Sequence, residues 1–171
     1  MLSHENVRPA RPEDAGEIVR LIKDLARYEK LGRFARPDVD KLHEELRSTG
    51  PQSLKVWVAI YPETHKVIGF ALCFMTYSTF LTAWQLYLED IFVEKEYRSL
   101  GFGRLLFEHI AEFANSAGCK RLDFQVLSWN KKSIFVYEKL GVKKRDGWFS
   151  MRIEGAKLKG FANKLRKERL K

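Results

Sequence analysis

Apolar residues recur at helical spacing in two segments near the start of the chain. After Pro12, one face of a predicted amphipathic helix holds Ile18, Leu21, Ile22, Leu25 and Ala26. A second helix is predicted from Asp38 to Ser48, ended by Gly50 and Pro51, with its inward positions at Val39, Leu42 and Leu46. A short strand is expected near Val7, ahead of both helices.

The hydrophobic period then changes to that of strands. Strands predicted over 55–61 and 66–76 flank a turn at 62–65, which is the pattern of an antiparallel hairpin. The later predicted elements are a strand over 86–93, a helix over 104–117 stopped by Gly118, a strand over 121–127, a helix over 133–140 stopped by Gly141, and a strand over 148–153. This order predicts an α/β fold with a mixed sheet flanked by helices.

Charge is concentrated at one end of the 171-residue chain, which has a net charge of +9. Residues 156–171 hold seven Lys or Arg and one Glu, a net charge of +6, whereas the other 155 residues carry only +3. We therefore expect a domain over residues 1–155 and a basic, helical tail over 156–171. The tail either docks to an acidic partner, RNA or a membrane surface, or is a solvated or subunit-packing helix.

Composition excludes several classes of protein. A hydrophobic content of 45% excludes wholesale disorder, and the longest apolar run, Val67 to Met75, is too short for a membrane span of about 20 residues. The first six residues contain no apolar run, so we expect no secretory signal. Cys73 and Cys119 make no disulfide framework, which favours a reducing, cytoplasmic location. The spacing of the four histidines gives no ligand motif, so we expect no metal site.

A glycine loop is the first candidate for chemistry. Gly101 and Gly103 follow a predicted strand and open a helix, and Arg98 and Arg104 flank them. Helix N-termini attract phosphates, because their N–H groups are unpaired and the helix dipole is positive there. Leu106 stands where a dinucleotide fingerprint needs a third glycine. The loop therefore indicates a phosphate-bearing cofactor, or else an ordinary glycine turn.

Two further groups of polar residues are candidates. Glu89 and Asp90 are neighbours in a strand, so at least one of them faces a packed layer, as a base or cation anchor or as the partner of a Lys or Arg. Asn130 is a natural N-cap for the helix that follows it. Tyr137 lies about two turns further along the same side, where it is either a proton donor near a ligand or a core tyrosine.

These motifs, in this order, resemble the GNAT superfamily of acetyl-CoA N-acetyltransferases. Similarity to the spermidine/spermine (diamine) acetyltransferase group is carried by segments 20–31, 87–93 and 129–141. Similarity to its thialysine acetyltransferase branch is carried by residues 29–31 and 88–91. The likeness covers about 7–153. It implies the GNAT-like acyl-CoA N-acyltransferase fold, a homodimer, and acetyl transfer from acetyl-CoA to a primary amine of a small diamine, polyamine or thialysine-like substrate.

The resemblance also implies roles for individual residues. Tyr137 would be the general acid and Glu89 the base or a substrate anchor. The implied cofactor-binding residues are Ile91, Phe92, Val93, Arg98, Ser99, Leu100, Gly101, Phe102, Gly103, Arg104, Asn130 and Ser133. The implied amine-binding residues are Tyr28, Glu29, Glu89, Asp90, Asp123 and Asp146. Strands 86–93 and 121–127 would splay apart to admit the cofactor.

Three departures from the family pattern bear on the substrate. Ser99 stands where relatives often have glycine, which costs little if its backbone angles are ordinary. Lys30 to Arg33 and Ser128 replace acidic residues, which favours a short amine over a long polyamine. The alternatives are acetylation of a protein or peptide amine, and a non-catalytic acetyl-CoA sensor or RNA-binding adaptor. Retention of Glu89, Asn130 and Tyr137 together argues against the adaptor.

Overall fold

The computed structural model describes residues 2–50, 53–147 and 149–169. The chain forms two compact units, Met1–Leu127 and Ser128–Lys171. The predicted boundary between residues 155 and 156 stays a prediction. No helix among the described residues is long and apolar enough to cross a membrane.

A five-stranded sheet organises the first unit. Its strands, in spatial and chain order, are β1 (Val7–Pro9), β2 (Lys55–Ile60), β3 (Val67–Ser78), β4 (Ala83–Val93) and β5 (Leu122–Phe124). β1 to β4 pair antiparallel, and β5 runs parallel to β4. The predicted mixed sheet and its β2–β3 hairpin are therefore confirmed.

Helices cover both faces of this sheet. α1 (Ala15–Tyr28) and α2 (Val39–Arg47) pack on one face, where Ile18 and Leu21 meet β-strand residues such as Phe70. α3 (Phe102–Ser116) packs on the other face through a second apolar cluster that includes Ile110. This arrangement confirms the predicted layers of helices around the sheet.

Part of the predicted inward face of α2 is wrong. Leu42 and Leu46 pack against the α1 cluster as expected, whereas Val39 is 43% exposed. Val39 is the first residue of the helix, and the cluster that the later leucines join does not extend to it. Asp38 caps α2 by accepting from Lys41 N at 3.1 Å. Pro51, predicted to help end this helix, lies outside the described residues.

The second unit contains α4 (Lys131–Lys139) and α5 (Gly155–Arg169). Gly141 ends the α4 segment with a φ of 83°, a left-handed conformation that glycine adopts without a Cβ clash. α5 spans nearly all of the segment predicted to be a helical tail. Its large apolar residues are all at least 40% exposed: Leu158, Phe161 and Leu165.

Two predicted strands differ from the structure. β5 is limited to Leu122–Phe124 although the pattern predicts 121–127. Residues 149–153 form no strand, and Trp148 lies outside the described residues. Phe149 and Met151 are 90% and 89% exposed, so their alternating pattern is not buried by pairing with any described strand. An alternating pattern of apolar residues is not sufficient to form a strand when no neighbouring strand pairs with it.

Candidate active site

A β-bulge in β4 places the predicted acidic pair. Cys73 of β3 pairs with Leu88 and the preceding Leu72 pairs with Asp90, so Glu89 is the extra residue on β4. A bulge shifts the alternation of backbone groups along the bulged strand. Before the bulge, Leu86 N donates to Arg121 O beside β5 at 3.0 Å.

After the bulge, the odd-numbered residues of β4 direct their backbone groups toward the β5 side. Glu94 N donates to Ile68 O of β3 at 2.9 Å, whereas Val93 O accepts from Arg98 Nε at 2.8 Å on the opposite side. Alternation puts the backbone groups of Ile91 on that same side. Among the described residues, β4 has no strand partner there beyond Leu88. The Ile91–Val93 edge can therefore pair with an extended ligand.

The start of α3 carries the features of an anion site. Gly101 is its N-cap with a φ of 102°, and Leu105 N makes the first helical hydrogen bond, to Gly101 O at 3.0 Å. The N–H groups of Phe102, Gly103 and Arg104 therefore point out of the helix end. The first turn carries no acidic residue. Phe102 is 2% exposed, so its side chain belongs to the core and only its backbone faces the loop.

Ser99 in this loop does not have ordinary backbone angles. Its φ is 65°, in the left-handed region that disfavours residues with a Cβ. The replacement of glycine by serine here therefore carries a conformational cost of about 1 kcal/mol. The condition under which the replacement would cost little, ordinary backbone angles at Ser99, is therefore not met.

Arg98 braces the loop against the sheet. Its Nε donates to Val93 O, and its guanidinium lies over the rings of Tyr28 and Phe92, 4.8 and 5.2 Å from their centroids. These cation–π contacts connect the end of α1 to the end of β4. Leu100 of the same loop and Arg104 in the first turn of α3 are exposed.

Carboxylates gather at the β4 bulge. Burial, with the charges of Glu89 and Glu29 adding to it, raises the pKa of Asp90 from 3.8 to about 6. Burial also raises the pKa of Glu29. Asp123 accepts from Arg121 Nε at 2.7 Å. We call Glu29, Glu89, Asp90 and Asp123 the acidic cluster. Its concentrated negative charge suits an ammonium group.

Glu89 and Asp90 have different environments in this cluster. Glu89, at the bulge, is exposed, and Asp90 is half-buried. Asp90 is therefore the member of the pair that faces packed surroundings, in agreement with the argument from strand alternation.

Tyr87 is a member of this region that the sequence analysis missed. Burial raises the pKa of its phenol, and the charges of Glu89, Asp123 and Asp90 raise it further. Tyr87 pairs in register with Asp123 of β5. Two signals could have found it: the period-two spacing of Tyr87 and Glu89, and the expected pairing of their strand with 121–127.

The second unit holds the remaining predicted residues. Asn130 is the N-cap of α4, and its Oδ1 accepts from Ser133 N at 3.3 Å, as predicted for a capping asparagine. Tyr137 lies two turns along α4 and is half-buried. Asp146 is exposed and lies 3.7 Å from Lys144 Nζ.

Comparison with known proteins defines the class to which this site belongs. The sequence model of the acetyltransferase (GNAT) family matches residues 19–142. The chain therefore belongs to the GNAT family, and it is an acetyl-transferring enzyme of the kind that uses acetyl-CoA as co-substrate.

Individual proteins of known sequence or structure are similar to this chain. A thialysine N-epsilon-acetyltransferase of Sus scrofa is 35% identical over 92% of this chain and 97% of its own length. An L-ornithine N5-acetyltransferase of Arabidopsis thaliana is 38% identical over 56% of this chain and 42% of its own length. A Vibrio cholerae integron cassette protein has a similar structure, with a TM-score of 0.73 and 26% identity over 91% of this chain and 96% of its own.

Proposed function

We propose that this enzyme moves an acetyl group from acetyl-CoA to a primary amine of a small diamine or thialysine-like amino acid. The observation that carries this proposal is the acidic cluster at the β4 bulge, which provides several carboxylates for a substrate with an ammonium group. The relatives support it, because thialysine and ornithine, named in their activities, both carry side-chain amines.

The residues of the first unit fit acetyl-CoA. The N–H groups at the start of α3, with Arg104 beside them, suit its pyrophosphate, and the Ile91–Val93 edge suits its extended arm. When bound, acetyl-CoA supplies the acetyl group as a thioester. Ser99 to Arg104 would hold its phosphates, and the resemblance adds Asn130 and Ser133 to the binding residues.

Proton removal from the amine is the first requirement of the reaction. An ammonium group with a pKa of about 10.4 is neutral in only about 4 parts in ten thousand at pH 7, which costs about 4–5 kcal/mol. Glu89 is the proposed base, and its exposure allows a water molecule to relay the proton.

The other carboxylates of the cluster would anchor the substrate. Asp90, Glu29 and Asp123 would hold the distal ammonium rather than the reacting one, because a carboxylate beside the nucleophile would raise its pKa. This division of roles favours substrates with two cationic groups a short distance apart.

Proton return to sulfur is the second requirement, and Tyr137 is the proposed general acid. Its phenol would donate a proton to the departing thiolate. A phenol has an ordinary pKa of about 10 and a thiol about 8.5, so the transfer is uphill by about 2 kcal/mol unless the site favours it. Tyr137→Phe should therefore cut turnover strongly while acetyl-CoA binding survives.

A screen of acceptor amines tests the proposal. Purified protein is mixed with acetyl-CoA and thialysine, ornithine, putrescine, spermidine, spermine or a lysine peptide, and free thiol is measured. We expect the highest kcat/KM with a short acceptor and a large loss in Tyr137→Phe. Tyr77→Phe, at an exposed tyrosine of β3, is the matched control.

Each other outcome of this screen identifies an alternative. A preference for the peptide would replace the proposal with protein acetylation. Thiol release with none of the amines would favour the non-catalytic sensor. Full activity of Tyr137→Phe would remove the tyrosine from the mechanism. The cytoplasmic location expected from the cysteines and the homodimer implied by the resemblance remain predictions, which fractionation and light scattering would test.

A further inference from the structure

Two histidines and a glutamate lie close together at the surface of α3, and the proposed acetyl transfer uses none of them. His4 lies in a 3-10 turn at His4–Asn6, and His109 and Glu112 are three residues apart on α3. One possible ligand atom from each of the three side chains lies within 4.8 Å of the other two. We call these residues the His–His–Glu cluster. His109 is half-buried, and the other two are exposed.

One hydrogen bond holds the ring of His109 and leaves Nδ1 as the nitrogen that would bind a metal. His109 Nε2 lies 3.1 Å from the backbone oxygen of His4, and because a carbonyl oxygen can only accept, Nε2 carries the proton. This tautomer leaves Nδ1 with its lone pair. Metal-binding histidines typically donate their second ring N–H to a carbonyl or carboxylate, which fixes the ring and increases its basicity.

His4 and Glu112 already have the separation of two ligands on one ion. His4 Nε2 lies 3.1 Å from Glu112 Oε2, and the rings of His4 and His109 stack with centroids 3.9 Å apart. Ligand atoms about 2.0–2.1 Å from a tetrahedral zinc ion are about 3.3 Å from each other. Ligand atoms that lie within 4.8 Å of one another therefore need to approach by at most about 1.5 Å to bind one ion.

The backbone that presents His4 is held in place. Ser3 N donates to Asn6 Oδ1 at 2.8 Å, and Asn6 N donates to Ser3 O at 3.0 Å, so each end of the turn is bonded to the other. Leu2, two residues earlier, packs against the core cluster beneath α3. His4 is therefore delivered to α3 by an ordered segment, which lowers the entropic cost of bringing the three ligands together.

We propose that the His–His–Glu cluster binds a zinc ion, with water completing its coordination. Two imidazole nitrogens and a carboxylate oxygen suit zinc and neighbouring transition metals better than magnesium or calcium, which prefer all-oxygen sites. The ion would replace the proton shared by His4 and Glu112. It would also connect the N-terminal turn to the helix whose first residues form the anion site.

The sequence alone gives no motif for this site. His4 and His109 are 105 residues apart, and only the packing of the N-terminal turn on α3 brings them together. The pair His109-x-x-Glu112 lies on one helical face, which is a weak signal by itself.

Metal titration of the untagged full-length protein tests the proposal. Zinc binding is measured by calorimetry, and cobalt binding by its visible absorption, which reports imidazole and carboxylate ligands. We expect one zinc ion per chain. His4→Ala, His109→Ala and Glu112→Gln should each weaken zinc binding at least tenfold. Zinc should raise the Tm of the parent protein but not that of Glu112→Gln, which keeps the size of the side chain.

The matched control is His43→Ala. His43 lies on α2 with Nδ1 3.6 Å from Glu44 Oε1, so it is another surface histidine beside a glutamate, and its removal should leave zinc affinity unchanged. The proposal is overturned if the parent protein binds no zinc, if binding persists undiminished in any one of the three cluster variants, or if His43→Ala weakens it equally. These readouts do not involve acetyl transfer, so they are independent of the proposed function.

Discussion

Replacing Asp90 by asparagine should stabilise the protein at neutral pH. The pKa of Asp90 is about 6 in the folded protein and has an ordinary value of 3.8, because burial and the charges of Glu89 and Glu29 penalise the carboxylate. That difference corresponds to about 3 kcal/mol at about 1.4 kcal/mol per pKa unit. Residual solvent contact of the half-buried side chain reduces the expected gain for Asp90→Asn to about 2 kcal/mol.

The pH dependence of this gain has a defined sign. Because the folded pKa lies above the unfolded one, the folded state binds the proton more tightly, and ionised Asp90 costs stability above about pH 6. The free energy of unfolding of the parent protein, relative to that of Asp90→Asn, should therefore fall as the pH rises from about 4 to about 6. The advantage of Asp90→Asn should be full above about pH 6 and vanish below about pH 4, where the aspartate is neutral in both states.

Urea denaturation at pH 4 and pH 7.5 measures both effects. Asp40→Asn, at an exposed position of α2, is the control and should change the free energy of unfolding by less than about 0.5 kcal/mol. The reasoning is refuted if Asp90→Asn is no more stable than the parent protein at pH 7.5, or if its gain is the same at both pH values.

Four further predictions concern the loop, the sheet, the substrate and the tail. Gly69→Ala should lower the free energy of unfolding by about 1–3 kcal/mol in urea, because the new Cβ would lie 2.8 Å from Phe92 O; an unchanged stability would contradict this. Ser99→Gly should raise the free energy of unfolding by up to about 1 kcal/mol, because glycine adopts the positive φ without strain; a lower free energy of unfolding would argue against strain at Ser99. The KM for a diamine should fall as the pH rises through about 6, because the substrate ammonium binds ionised Asp90. A KM that does not change with pH would exclude contact between the ammonium and Asp90. Deleting 156–171 removes a charge of +6, so RNA binding at low salt should weaken; unchanged binding would show that the tail does not bind RNA.

Hydrophobic period was sufficient to predict most of the first unit. The face of α1 through Ile18 and Leu21, the β2–β3 hairpin and the helix after Gly103 all follow from local spacing and turn residues. Local spacing failed where burial depends on a partner. Val39 and the 149–153 segment have apolar residues at suitable positions, yet the packing surfaces that would cover them are not provided by the described residues.

The bulge explains what sequence reasoning could not supply about the site. The pattern of β4 identifies Glu89 and Asp90 but not which of them is buried, because one extra residue reverses the alternation after Leu88. The same shift turns the backbone of Ile91 toward the β5 side. The left-handed angle at Ser99 is equally invisible in the sequence, since serine is common in turns but does not indicate a positive φ.

The central claim is that acetyl-CoA binds along the Ile91–Val93 edge and the amides that begin α3. Backbone amide NMR shifts of 15N-labelled protein, followed during titration with coenzyme A, test it directly. We expect the largest changes at Ile91, Val93 and residues 101–104, with saturation at one equivalent. Saturable binding that leaves these amides unchanged and perturbs a different surface would contradict the claim.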